Sequence, residues 1–128
     1  MTNPTNSGKG IWEPSPWYMA QVIHVLAGAF ILFAGTTHGL SVGWLYASFF
    51  LVTALKEFAL DTASWFEGDT WGGSAWDFGC YQVGAIGGIV ASCGHFWLGT
   101  VLTSSAVLVL FGIDLANQTL GWSIFGED

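Results

Sequence analysis

Hydrophobic residues run along this chain in long blocks, and polar residues gather between the blocks instead of alternating with them. Positions 14–55 contain no Asp, Glu, Lys or Arg, and neither do positions 78–113. A helix climbs about 1.5 Å per residue and the hydrocarbon core of a bilayer is about 30 Å thick, so one crossing takes about 20 residues. Each uncharged tract is therefore about two crossings long. The first divides at Gly35-Thr36-Thr37-His38-Gly39, whose glycines and polar groups have the composition of a turn. This predicts transmembrane helices at 17–35 and 41–58. The second tract divides at Gly94-His95 into helices at 77–93 and 97–113. Left undivided it would form a helix of about 54 Å, far more than a membrane needs; the alternative is three crossings with the last long or broken.

The predicted fold is all-α, a polytopic integral membrane helical bundle filling a single membrane domain, 1–128. A polar amino-terminal segment (1–16), an interfacial loop (59–76) and a carboxy-terminal tail (114–128) complete it. In the loop, Asp61, Glu67 and Asp69 are interleaved with Trp65, Phe66, Trp71 and Trp76, as suits a segment at the headgroup level. In the tail, Leu115, Leu120, Trp122, Ile124 and Phe125 are apolar enough to lie on the membrane surface or to dock on a partner.

Composition agrees with the pattern and narrows the function classes. The chain is 52% hydrophobic and 9% charged, with a mean hydropathy of +0.55, whereas soluble domains carry about 25% charged residues. An aromatic content of 16% also excludes a disordered chain. The net charge of −7 leaves no basic surface for nucleic acid. The two basic residues, Lys9 and Lys56, flank the first pair of predicted helices and so share one side of the membrane. The positive-inside rule makes that side cytoplasmic, with the amino terminus inside, as in a bacterial inner membrane or a viral membrane. A secretory signal is the competing reading of the first helix. Its apolar run exceeds the usual ~7–15 residues and no cleavage pattern follows in a polar stretch, so the helix is expected to be retained.

Candidate chemistry is sparse. Lys56, Glu57, Asp61 and Asp77 form an expected intramembrane charge cluster. An ionised side chain inside a bilayer costs at least ~2.5–3.5 kcal/mol, so Lys56 is expected to pair with Asp77 or Asp61 and pin the second helix to the third, or else to snorkel to the interface. Cys80, Gly84, Gly88 and Ser92 make a ridge of small residues at a spacing of four, which reads as a helix-packing face. Cys80 and Cys93 have no metal-type pairing and read as buried thiols. His24 and His95 each follow an alanine by one turn, a pattern that can ligate a haem iron or a chlorophyll-type magnesium; a neutral histidine bonded within the bundle is the plainer reading. Phosphate-binding loops, zinc-protease helices and nucleophile elbows are absent, so no enzyme is expected and no catalytic residue is assigned.

Ala54-Leu55-Lys56-Glu57-Phe58 with Asp61, then Gly72-Gly73, Trp76-Asp77 and Gly84-x-x-x-Gly88, resembles small multi-pass membrane proteins of phages and prophages and is distantly similar to VanZ-like membrane proteins. The resemblance covers residues 54–88 and implies a topology and a viral origin, carried by Lys56, Glu57, Asp61, Asp77, Gly84 and Gly88. Three functions follow as expectations. The first is a non-enzymatic protein acting by helix–helix assembly, as a holin-like pore former or a membrane component of a larger, viral or cellular complex; it would be a homo-oligomer or join other membrane subunits. The second is a membrane subunit binding haem or pigment through His24 or His95. The third is a small ion or proton transporter. All three require a chain that lives in lipid. The protein is expected to stay with membranes through alkaline carbonate extraction and to need detergent to remain monodisperse.

Overall fold

The computed structural model describes residues 13–61 and 71–121. The predicted segment 1–12, the loop residues 62–70 and the tail residues 122–128 lie outside them, as do the side chains of Asp61 and Trp71. Four α-helices follow one another: α1 (Pro16–Thr37), α2 (Val42–Ala54), α3 (Trp71–Ser92) and α4 (Phe96–Leu120). α2 runs on without a break into a π-helical segment, Leu55–Asp61. Proline sits in the first turn of α1 behind the Ser15 cap, where its missing N–H costs nothing. Ser41 caps α2 in the same way, accepting from the Trp44 N–H. The two predicted turns each hinge on a glycine with a left-handed backbone, Gly39 at φ 94° and Gly94 at φ 97°. Side chains at those angles are strained even where space is open.

α1, α4 and the continuous stretch Val42–Leu60 are each long and apolar enough to cross a membrane, and the chain is an integral membrane protein on that account. α3 has the length but carries Ser74, Asp77, Gln82 and a run of glycines that lower its hydropathy. Large apolar side chains point outward, with Phe30 72%, Trp97 75% and Trp44 79% exposed, while the fully covered positions include Gln21, Glu57, Ser74 and Asp114. That distribution is the reverse of a water-soluble bundle and suits a solvent of acyl chains.

The tightest interface joins α1 and α3, which run parallel. Gly84 lies against the backbone of Val25 and Gly88 against that of Ala29, while Gly28 meets the backbone of α3 at Tyr81 and Ala85. A Cβ at Gly84 would fall inside the Val25 carbonyl oxygen. The predicted ridge is therefore filled within the chain. Cys80 continues it into a core with Val25 and Leu110, and the Ser92 hydroxyl turns back to the Ile89 carbonyl. α4 returns antiparallel to α3, with Gly87 beside Thr103 and Gly99 beside Ala91. α2 runs antiparallel to α1 and is tied to α3 by polar groups: Tyr46 donates to Gln82 at 2.8 Å and Gln82 donates to Thr53 at 3.0 Å.

The second span runs through Asp61 where Phe58 was expected to end it, and two other boundaries differ from the sequence expectation by more than a helical turn. α3 begins at Trp71, so Trp76 is helical and stacks on Trp17 with ring centroids 6.2 Å apart, where an interfacial loop had been expected. Gly73 and Ser74 are weak helix formers, and packing holds Ser74, which is wholly buried. α4 continues through Asp114 to Leu120, so Leu115 and Leu120 belong to a helix and not to a tail. Asp114 is 1% exposed and accepts from the Ser15 backbone N–H at 3.2 Å and from the Ser15 hydroxyl at 2.5 Å. Gln118 adds a third donor at 3.1 Å. The carboxylate faces the start of α1, where unsatisfied N–H groups favour negative charge. An acidic residue that reads as the end of a span is thus the clasp between α4 and α1.

The glycines supply a direct test. Gly84→Val should destabilise the bundle by about 1–3 kcal/mol or prevent its folding, since backbone cannot move aside. Gly79 has open space around it, so Gly79→Ala should be neutral or stabilising by about 0.5–1 kcal/mol. Thermal melts in detergent, followed by circular dichroism, separate the two.

Candidate functional site

Three helical segments bring ionisable groups together near the end of the bundle where α1 and α3 begin. His24 comes from α1, Glu57 from the π-helical segment and Asp77 from α3, and one ligand atom of each lies within 4.8 Å of the others. Glu57 is fully buried. His24 and Asp77 keep side-chain exposures of 13% and 18%, with the His24 Nδ1 3.8 Å from the Asp77 Oδ1. His24 stands two turns into α1, about 12 Å from its first residue at 1.5 Å per residue, so the cluster is inside the bundle and not on its rim.

Local structure explains the convergence. Long side chains on a helix lean toward its amino terminus, so Gln21 and His24 reach back along α1 toward the level of Asp77. Gln21 is 2% exposed and donates through Nε2 to the Asp77 Oδ1 at 2.5 Å. Its Oε1 is buried without a hydrogen-bond partner. Tyr81, one turn beyond Asp77, lies against the His24 ring with centroids 4.4 Å apart. On the third side, Glu57 continues the buried stripe of Phe49 and Thr53 at a spacing of four. π-Helical turns are rare and gather at functional sites.

Lys56 bonds its neighbour Glu57, Nζ to Oε1, at 2.6 Å. The expectation joined Lys56 to Asp77 or Asp61; the Asp61 side chain lies outside the described residues, and Asp77 meets Gln21 and His24. The lysine side chain is 44% exposed while its partner is covered. Its long stem lets an ammonium bonded to a covered carboxylate still reach the outside of the bundle. Asp61 closes the π-helical segment.

The other predicted candidates lie elsewhere. His95 is exposed at the α3–α4 turn, at the opposite end of the bundle, beside Phe96, which meets Phe33 near the end of α1. His24 and His95 are thus not brought together. Cys93 is exposed near the same turn, whereas Cys80 is buried. Gln21 and Tyr81 escaped the sequence reading. Gln21 was visible as a polar residue one turn before His24, on the same face, in an apolar helix.

Comparison with protein-family models, with curated proteins and with solved structures finds no match.

Electrostatics makes the Lys56–Glu57 pair measurable. Lys56→Met leaves a covered carboxylate without its ammonium and should lower stability by roughly 1.5 kcal/mol, the low end for charged hydrogen bonds because the lysine is half exposed. Adding Glu57→Gln should recover most of that loss. A Lys56→Met protein that melts with the wild type would reduce the lysine to simple snorkelling.

Proposed function

We propose that this chain is a four-span membrane protein that admits and passes a cation through the cluster of His24, Glu57 and Asp77, placing it among small ion or proton transporters. The observation that carries this reading is the convergence of two carboxylates and an imidazole from three helical segments, with Glu57 fully covered. Ionisable groups within a membrane are expensive and mark ion or proton pathways when they gather. α3 supplies the fourth crossing. It lies parallel to α1 along the length of that helix, and its polar residues face the bundle. Both ends of the chain then share one side, which the two lysines make cytoplasmic.

The alternatives have less behind them. Assembly into a pore or a larger complex was motivated by the small-residue ridge, and that ridge is filled by α1 of the same chain. Pigment binding at His24 would have to fit a macrocycle beside a side chain only 13% exposed.

Proteoliposomes test the reading. The wild type should dissipate an imposed proton or metal-cation gradient, followed with an entrapped indicator, and Glu57→Gln and Asp77→Asn should each remove most of the flux. An equal leak through wild type and both variants would point to a pore former. Absence of flux from a folded, correctly inserted protein would overturn the proposal.

A further inference from the structure

We infer that the cation is a divalent first-row transition metal of the zinc class, bound by His24, Glu57, Asp77 and the Gln21 amide oxygen, and that Lys56 is the resident cation it displaces from Glu57. The inference rests on reading the cluster as a cation site and names its ligand.

The donor set selects the class. Calcium and magnesium take six or more oxygens or retain their water, whereas an imidazole nitrogen with two carboxylates suits zinc and its neighbours. Zinc binds such donors at about 2.0–2.2 Å in a tetrahedron, which puts adjacent donors roughly 3.4 Å apart. The His24 Nδ1 and Asp77 Oδ1 stand at 3.8 Å, and all three donors lie within 4.8 Å of one another. Small rotamer adjustments close that difference.

Gln21 gives an independent indication. It is 2% exposed, its Nε2 is fixed on Asp77, and its Oε1 is buried with no partner. A buried amide oxygen without a donor is costly in any folded protein. The amide is planar and its nitrogen already touches a ligand carboxylate, so the oxygen is held at the edge of the same cluster. A cation there satisfies it.

Charge supplies the rest. Two carboxylates balance one divalent ion with no help from Lys56, and the lysine is already 44% exposed, long enough to swing its ammonium into the interface. The tie from Gln21 to Asp77 and the contact of Tyr81 with the His24 ring act as the outer partners that orient metal ligands.

Zinc titration of the metal-stripped, detergent-solubilised full chain tests this, with cobalt as the visible-absorbance probe of ligand geometry. One zinc per chain is expected, with a tetrahedral cobalt spectrum. His24→Gln and Asp77→Asn should weaken zinc by about 100-fold and Gln21→Leu by about 10-fold. Lys56→Met should tighten zinc by roughly tenfold, because it removes the competitor for Glu57. That gain is one a misfolded variant would not show, and circular dichroism checks the fold of the others. Zinc binding that ignores His24→Gln, magnesium binding as tight as zinc, or a weaker Lys56→Met protein would each overturn the inference. Glu57-dependent proton flux without zinc binding would remove the metal and leave the transport reading. Zinc bound at the cluster without flux would do the reverse.

Discussion

Backbone-on-backbone packing of α1 and α3 is the constraint from which the remaining structure follows. In lipid, apolar side chains gain nothing by leaving the solvent for each other, so helices hold where small residues let their backbones meet. Gly28 on one helix and Gly84 and Gly88 on the other remove the side chains that would keep them apart. Packing so close has one register. It sets Trp76 on Trp17 and brings Asp77 within reach of Gln21 and His24, and it leaves the adjoining face of α3 for Gly87 to receive α4. A central helix rich in glycine is a poor span by hydropathy and a good hub by geometry. Both properties come from the same residues.

Polar side chains then tie the bundle together. Tyr46, Gln82 and Thr53 join α2 to α3, and the Thr53 hydroxyl donates in turn to the Phe49 carbonyl at 2.8 Å. Ser15, Asp114 and Gln118 join α4 to the start of α1. Such bonds are worth about 0.6 kcal/mol each on average inside membranes, so their value here is in fixing rotation more than in adding stability. They set which face of α2 looks inward, and Glu57 lies on that face.

Much of this was legible in the sequence. The uncharged tracts gave the helices, Gly39 and Gly94 gave the turns, and the spacing of Gly84 and Gly88 gave a packing face, because each is a local signal with a local cause. The partner of that face was not legible, since a small residue says only that something comes close. Charge misled at both ends of the second tract. Asp77 and Asp114 look like the limits of crossings when ionised side chains are assumed to seek water, yet Asp77 lies within α3 and Asp114 is covered by donors from 99 residues away. The candidate site was half visible: Lys56, Glu57 and Asp77 stood out as charges in apolar surroundings. The place of His24 beside them depended on the α1–α3 register, and Gln21 mattered only once Asp77 was in reach.

Two buried acids on one chain allow a comparison that no motif supplies. Asp114 is answered by donors fixed in the fold: a backbone N–H at the start of a helix, the hydroxyl of its capping serine and the amide of Gln118 one turn away. Every one of them is committed, and the carboxylate has no reason to exchange partners. Glu57 is answered by Lys56, whose head is bonded inward while its side chain remains 44% exposed, and Asp77 by Gln21, whose second polar atom is still available. The first arrangement is a joint. The second holds its charges with groups that can move or still have capacity, and it is seated where a π-helical segment replaces the regular turn. A fold that needed Glu57 only for cohesion would gain as much from a residue of similar volume without charge, since buried ion pairs often add nothing to stability over apolar packing. A charge in that position, beside an imidazole and a second carboxylate, is what the proposed cation site would account for.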